Sequence, residues 1–114
     1  MTKQGEVCIL SGLEIPKGKQ NREHLCPKSR VPRFIWDNPA NIFPAHKVVN
    51  SIKANLMPCE FEEVKYSLTY HALQAWKIKP DDREFLQRTL QNWEHNYHPN
   101  YCDICLIQCK QRTK

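Results

Sequence analysis

Three features of this 114-residue chain predict an α+β fold. Short segments with strand character crowd the part before Pro44. Helical apolar spacing takes over after it. No apolar run reaches the 18 or so residues that mark a membrane span, so no membrane partner is expected. The length suits one domain, read as a small strand–strand–helix core over about residues 6–57 with helical support packed against it over about 60–112. Hydrophobic residues at 40% and charged residues at 25% are ordinary for a globular protein, which excludes a low-complexity chain.

Taken in order, Glu6 to Leu10 reads as a short strand ended by the Ser11-Gly12 turn signal. Pro16-Lys17-Gly18-Lys19 marks an exposed basic loop. Asn21 to Cys26 reads as a second strand, with Pro27 forcing the chain out of the ladder. Residues 28–40 hold Pro32 and Pro39 and too few apolar repeats for a helix, so a long loop is expected, tucking Phe34, Ile35 and Trp36 onto the core as a lid. Asn41-Ile42-Phe43 suits a brief strand.

Pro44 suits the first turn of a helix, where a missing N–H costs nothing. That helix is expected to run to about Leu56, with Val48, Val49, Ile52 and Leu56 inward and His46, Asn50 and Lys53 on another face, and Pro58 ends it. A further helix is expected from Phe61 to about Ile78, carrying Val64, Leu68, Leu73 and Trp76. Pro80-Asp81-Asp82 is a helix start, with acids at the positive end of the dipole and a stripe of Phe85, Leu86, Leu90, Trp93 and Tyr97 behind it. Pro99 breaks that helix, and Tyr101 to Gln111 suits a last short one.

The functional signal lies between Glu23 and Lys53. An acid beside a histidine is followed by two asparagines nine positions apart and a lysine three further on. These types can supply a metal ligand, a general base, a residue that holds the base, a second ligand and a phosphate contact. The run Glu23-His24-Leu25-Cys26-Pro27-Lys28-Ser29, then Asn41, then Asn50-Ser51-Ile52-Lys53 resembles the HNH endonucleases, with their E/D-H-x-x-P-x-S, N and N-x-x-K motif on a ββα-metal core.

That resemblance implies phosphodiester hydrolysis of DNA in the presence of Mg²⁺ (or Mn²⁺). His24 would be the general base, Glu23 and Asn50 the metal ligands, and Asn41 the orienter of the base through the loop backbone. His46, one turn from Asn50, is the second choice of ligand. One carboxylate and one amide oxygen form a hard, sparse set that suits magnesium better than zinc. Many members of the family also hold a structural zinc on two C-x-x-C pairs. Here those positions read Cys8-Ile9-Leu10-Ser11 and His46-Lys47-Val48-Val49, so no structural zinc is expected there. On the residues alone, His24 also suits a half-buried structural role, Glu23 a solvated strand charge and Asn41 a turn.

Lys53, Lys28, Arg30, Arg33, Arg22 and Lys19 are candidates to hold nucleic acid, together with Lys17, and the net charge of +5 is a weak attraction to polyanions. DNA is the expected partner, no residue separates it from RNA, and cut-site specificity would be weak or borrowed from a partner chain. Met1-Thr2-Lys3-Gln4 shows no basic-then-apolar leader, which points to a cytoplasmic protein whose six cysteines are reduced thiols or metal ligands. His98, Cys102, Cys105 and Cys109 are spaced either for zinc or as one buried helix face. The competing reading is therefore a non-catalytic nucleic-acid or protein-interaction module of ββα shape with a metal at that C-terminal cluster.

Overall fold

The structure is a computed structural model that describes residues 6–95, Tyr97, Pro99 and Tyr101. Strands β1 (Gln20–His24) and β2 (Ile42–His46) pair antiparallel, from Gln20 opposite His46 to His24 opposite Ile42. Between them lie a one-turn helix α1 (Arg33–Trp36) and a 3₁₀ turn at Pro39–Asn41. Helices α2 (Lys47–Lys53), α3 (Pro58–Ala75) and α4 (Pro80–His95) follow. No helix of the described residues is long and apolar enough to cross a membrane. The expected last helix and the C-terminal cysteine cluster lie outside the described residues.

The predicted strand at Glu6 to Leu10 is instead one bridge, Val7 to Glu14, around a tight turn. Gly12, at φ +75°, closes that turn by donating from its N–H to the Cys8 carbonyl at 2.8 Å. The turn's carbonyls are taken by side chains of α4 and of Tyr97 beyond it. Trp93 Nε1 donates to Leu10 O at 2.7 Å, Asn92 Nδ2 to Ser11 O at 2.9 Å and the Tyr97 hydroxyl to Ile9 O at 2.6 Å. With those acceptors satisfied, the segment needs no neighbouring strand.

Pro44 lies in the middle of β2, not at the start of a helix. Its carbonyl points away from β1 and accepts from the Ile9 N–H at 3.0 Å. Its nitrogen faces the same outer edge, so the missing donor costs no ladder bond. His46 then caps α2, its Nδ1 accepting from the Val48 N–H at 3.1 Å. The helix therefore starts three residues later than predicted.

It also ends early. Ala54 stands at φ +51° and ψ −131°, a region that favours glycine, while its N–H still reaches the Asn50 carbonyl at 3.0 Å. Ala54→Gly is expected to raise stability by about 1 kcal/mol. The check is a higher urea midpoint at unchanged slope; a lower midpoint would show the turn to be unstrained.

The loop does not fold all its aromatics inward: Phe34 is 75% exposed, whereas Ile35 and Trp36 are half-buried. In α3 the inward stripe is Phe61, Lys65, Thr69 and Ala72, while Val64, and Trp76 just past the helix end, are exposed. Lys65 can be inward because its ammonium lies 2.6 Å from a Glu62 oxygen and 4.7 Å from the Trp93 ring centre. Pro58 opens α3, where the Glu60 carboxylate turns back to accept from the Met57 N–H at 2.8 Å. In α4 the predicted stripe holds, with Phe85, Leu86, Leu90 and Trp93 buried. Trp93 meets Phe61 edge-on at the centre, and Leu10, Leu25 and Val49 join the same core.

Candidate active site

The pleat of the ribbon divides the candidates. Residues alternate between its faces, so Asn21, Glu23, Phe43 and Ala45 share one face, and Arg22, His24, Pro44 and His46 the other. Helix α2 packs on the first face. Asn50 and Lys53, three residues apart on α2, both turn toward Glu23. Lys53 Nζ lies 2.7 Å from Glu23 Oε2, with the lysine fully buried and Glu23 6% exposed. At that distance the ammonium and the carboxylate form a close charge pair.

The Asn50 amide has both ends satisfied when its nitrogen faces the carboxylate. It then donates to Glu23 Oε1 at 2.6 Å, and its oxygen accepts from Asn21 Nδ2 at 3.2 Å. Burial pushes the Glu23 carboxyl above its ordinary range, and the Lys53 charge pulls the other way without cancelling it. The result is a polar cluster of four side chains that runs from buried Glu23 and Lys53 through half-buried Asn50 to exposed Asn21.

His24 ends β1 on the other face. Its ring meets Trp36 edge-on, with centres 5.9 Å apart and planes at 74°. Burial lowers its pKa first and the nearby Lys28 charge second, with Asp37 opposing them. The imidazole is thus held neutral at physiological pH, the form a base requires. The ring does not join the Glu23 cluster by any contact among the described residues. It borders that cluster through the backbone, as the neighbour of Glu23.

Asn41 pins the chain directly after His24. Its Oδ1 accepts from the Cys26 N–H at 2.7 Å, and its Nδ2 donates to the carbonyls of Cys26 at 3.0 Å and Trp36 at 3.3 Å. The Leu25 N–H also donates to the Asn41 carbonyl at 2.8 Å. One buried amide thereby ties the end of β1 to the helix that carries Trp36.

His46, the second-choice ligand, lies elsewhere. It pairs with Gln20, three register positions from Glu23, and its other ring face stacks on Phe85 at 4.0 Å. Its Nε2 lies 3.6 Å from Asp82 Oδ1. Burial lowers its pKa more than Asp82 raises it. Its role here is helix cap and core packing.

The basic candidates are largely paired. Arg30 forks onto Glu60 at 2.8 and 2.9 Å, joining the loop to the start of α3. Lys19 sits 3.4 Å from Asp81 and 3.2 Å from Asp82, Arg22 sits 3.7 Å from Glu6, and Arg33 sits 3.7 Å from Asp37. Lys53 faces Glu23 inside the protein, not a surface phosphate. Lys28, exposed, rides 4.8 Å above the Trp36 ring centre, with Arg33 at 5.8 Å, so two cations flank the His24 end.

Asn21 and Trp36 escaped the sequence reading. Asn21 stands two residues before Glu23, the period that puts both on one strand face, so its place was legible. Trp36 carried no such signal, because a loop has no period. No protein-family model, curated protein or solved structure matches this chain.

Proposed function

We propose that the chain is a metal-dependent endonuclease of HNH type, with a ββα-metal core, that hydrolyses phosphodiester bonds in DNA. The observation that carries this reading is the meeting of Glu23 from β1 with Asn50 from α2, 2.6 Å apart, next in sequence to a neutral histidine whose loop is pinned by Asn41. One carboxylate and one amide oxygen are donors that a hard divalent cation, Mg²⁺ or Mn²⁺, takes, although among the described residues no group of three or more His, Cys, Asp or Glu side chains gathers there. For both side chains to hold it, Asn50 would turn its amide oxygen inward and Lys53 would withdraw its ammonium, each a rotation about single bonds.

When bound, such a cation stabilises charge on the phosphoryl and leaving oxygens. His24 accepts the proton of the attacking water at its free ring nitrogen. Trp36 restricts the ring, and Asn41 keeps the strand end and the loop in register, so the ring acts from the end of β1, on the face away from the Glu23–Asn50 pair. Lys28 and Arg33 draw the phosphate backbone to that end. This geometry reads no bases, which fits weak cut-site specificity.

The Glu23–Lys53 pair favours a second reading, a non-catalytic nucleic-acid or protein-interaction module in which the same cluster is purely structural. Supercoiled plasmid incubated with Mg²⁺, with and without chelator, decides between them. Nicking that requires the metal, is lost in chelator and is lost in Asn50→Ala at low metal is the expected result. Intact plasmid over hours in Mg²⁺ and in Mn²⁺, with intact RNA in a parallel arm, would leave the module reading standing.

A further inference from the structure

Phe34 is the most exposed large apolar side chain among the described residues, at 75%. A single exposed ring is ordinary on a protein surface and carries nothing by itself. Its setting is less ordinary. Helix α1 buries none of its four residues, yet it is tied to the rest of the chain, the Trp36 carbonyl accepting from buried Asn41 Nδ2 at 3.3 Å. An open hollow of about 560 Å³ lies beside the ring, walled by Arg33, Phe34, Asp37, Asn38 and Pro39. That volume falls within the range of small-ligand sites, about 300–1,000 Å³.

We propose that this hollow is a platform for one unstacked base of single-stranded nucleic acid, with Phe34 as the stacking ring and Lys28 and Arg33 as the phosphate contacts. The inference rests on the reading above for its partner, nucleic acid, and not for the cutting of it. Charge complementarity favours this occupant. Lys28 is exposed, with its ammonium 4.8 Å from the Trp36 ring centre, and the Arg33 guanidinium lies 5.8 Å from the same centre. The pair that Arg33 makes with Asp37 at 3.7 Å is exposed on both sides, so it is weak and a phosphate can take the guanidinium over. Asp37 disfavours a phosphate inside the hollow, whereas every base carries an N–H from which a carboxylate can accept. The base therefore goes in and the backbone stays outside.

A duplex cannot use the ring, because its bases are stacked on one another and their faces are covered. A single strand can, and an aromatic ring accepts the face of any base. The surface thus prefers single strands without reading their sequence.

Fluorescence anisotropy of a labelled thymidine oligonucleotide of about 15 nucleotides, beside a duplex of equal length, tests this in chelator, where no metal-dependent cutting occurs. The parent is expected to bind the single strand more tightly than the duplex. Phe34→Ala should weaken single-strand binding by about 5- to 150-fold, the worth of one stacked base, and duplex binding by less than about twofold. The dependence of its affinity on salt should keep the parent's slope, whereas Lys28→Met should make that slope shallower by about 0.7. Phe34→Tyr, which keeps a stacking face, should bind like the parent. Should Phe34→Ala melt lower than the parent, Phe34→Leu, apolar without an aromatic face, decides in its place and is expected to lose as much.

Single-strand binding by Phe34→Ala equal to the parent's overturns the platform, as does a parent that binds both forms alike or binds neither. An equal loss on both forms with a shallower salt slope overturns it too, since that marks a lost phosphate contact. If the parent nicks plasmid in Mg²⁺ while Phe34→Ala binds the single strand as the parent does, the nuclease reading stands without the platform. If Phe34→Ala loses the single strand while the parent cuts nothing, the platform stands and the nuclease reading falls.

Discussion

On the nuclease reading proposed above, replacing His24 with alanine is expected to lower the single-turnover cleavage rate by about 10²- to 10⁴-fold, the usual worth of a positioned general base. Metal affinity should be nearly unchanged, because the ring lies on the face of the ribbon away from the Glu23–Asn50 cluster. The fold should survive, since the ring is half-exposed and meets Trp36 only edge-on. Asn50→Ala makes the contrast: its defect should be partly recovered at high Mn²⁺, which binds nitrogen and oxygen ligands more tightly than Mg²⁺.

The same histidine predicts the pH profile. Burial and Lys28 lower its pKa, so the neutral form persists below the ordinary value of about 6.5. The acid limb of the rate should therefore fall below that pH. Removing the cation with Lys28→Met should shift the limb upward, and removing the acid with Asp37→Asn should shift it downward. Unchanged cleavage by His24→Ala at saturating Mg²⁺ would show that the attacking water loses its proton without this residue. A limb that ignores both Lys28 and Asp37 would mean that another group titrates.

The largest effect on stability is expected at Trp93. Its side chain is fully buried, meets Phe61 and Tyr66 edge-on, and carries the Lys65 ammonium 4.7 Å from its ring centre. Truncation to alanine should cost roughly 3–5 kcal/mol through lost burial and the cavity left behind. The Leu10 carbonyl, which accepts from Trp93 Nε1 at 2.7 Å, would also lose its partner, adding about 1–3 kcal/mol if water does not reach it.

A melting temperature lower by more than about 10 °C is the expected reading for a domain of this size. Trp76→Ala is the control. That ring is 40% exposed, and its loss should cost less than half as much. Equal losses at both positions would show that Trp93 is not the centre of the packing.

The two tryptophans also show what a linear pattern can carry. In α4 the stripe Phe85, Leu86, Leu90 and Trp93 was legible because apolar residues recur at helical spacing with polar residues between them. In α3 the pattern is weaker, and Lys65 and Thr69 take inward positions that apolar residues would otherwise claim. A lysine is accepted there because Glu62, three residues earlier on the same helix, and Trp93 meet its charge, and the second partner becomes visible only when α4 packs on α3.

Pro44 misled for a related reason. A proline suits a helix start and an outer strand edge equally well, and only the Ile9 contact shows which edge it faces. The Glu6 to Leu10 segment has strand composition, yet its Ile9 and Leu10 carbonyls, and that of Ser11 just after, are satisfied by Tyr97, Trp93 and Asn92, more than 80 residues away in the chain. No local pattern records partners at that distance.

At the candidate site the division is equally clear. The order of Glu23, His24, Asn41 and Asn50 is a property of the chain, and strand alternation already places Glu23 and His24 on opposite faces. By itself the sequence determined an α+β chain with a helix-rich second half. The tertiary structure decided which members meet. It joined Glu23 to Asn50, drew Asn21 in beside them, set His24 against Trp36, and turned Lys53 from a surface charge into the buried partner of Glu23. The physical reason is that a side chain's charge and hydrogen-bonding capacity are local properties. Its burial, and therefore the partner that must satisfy it, is set by the packing of α2 on the ribbon.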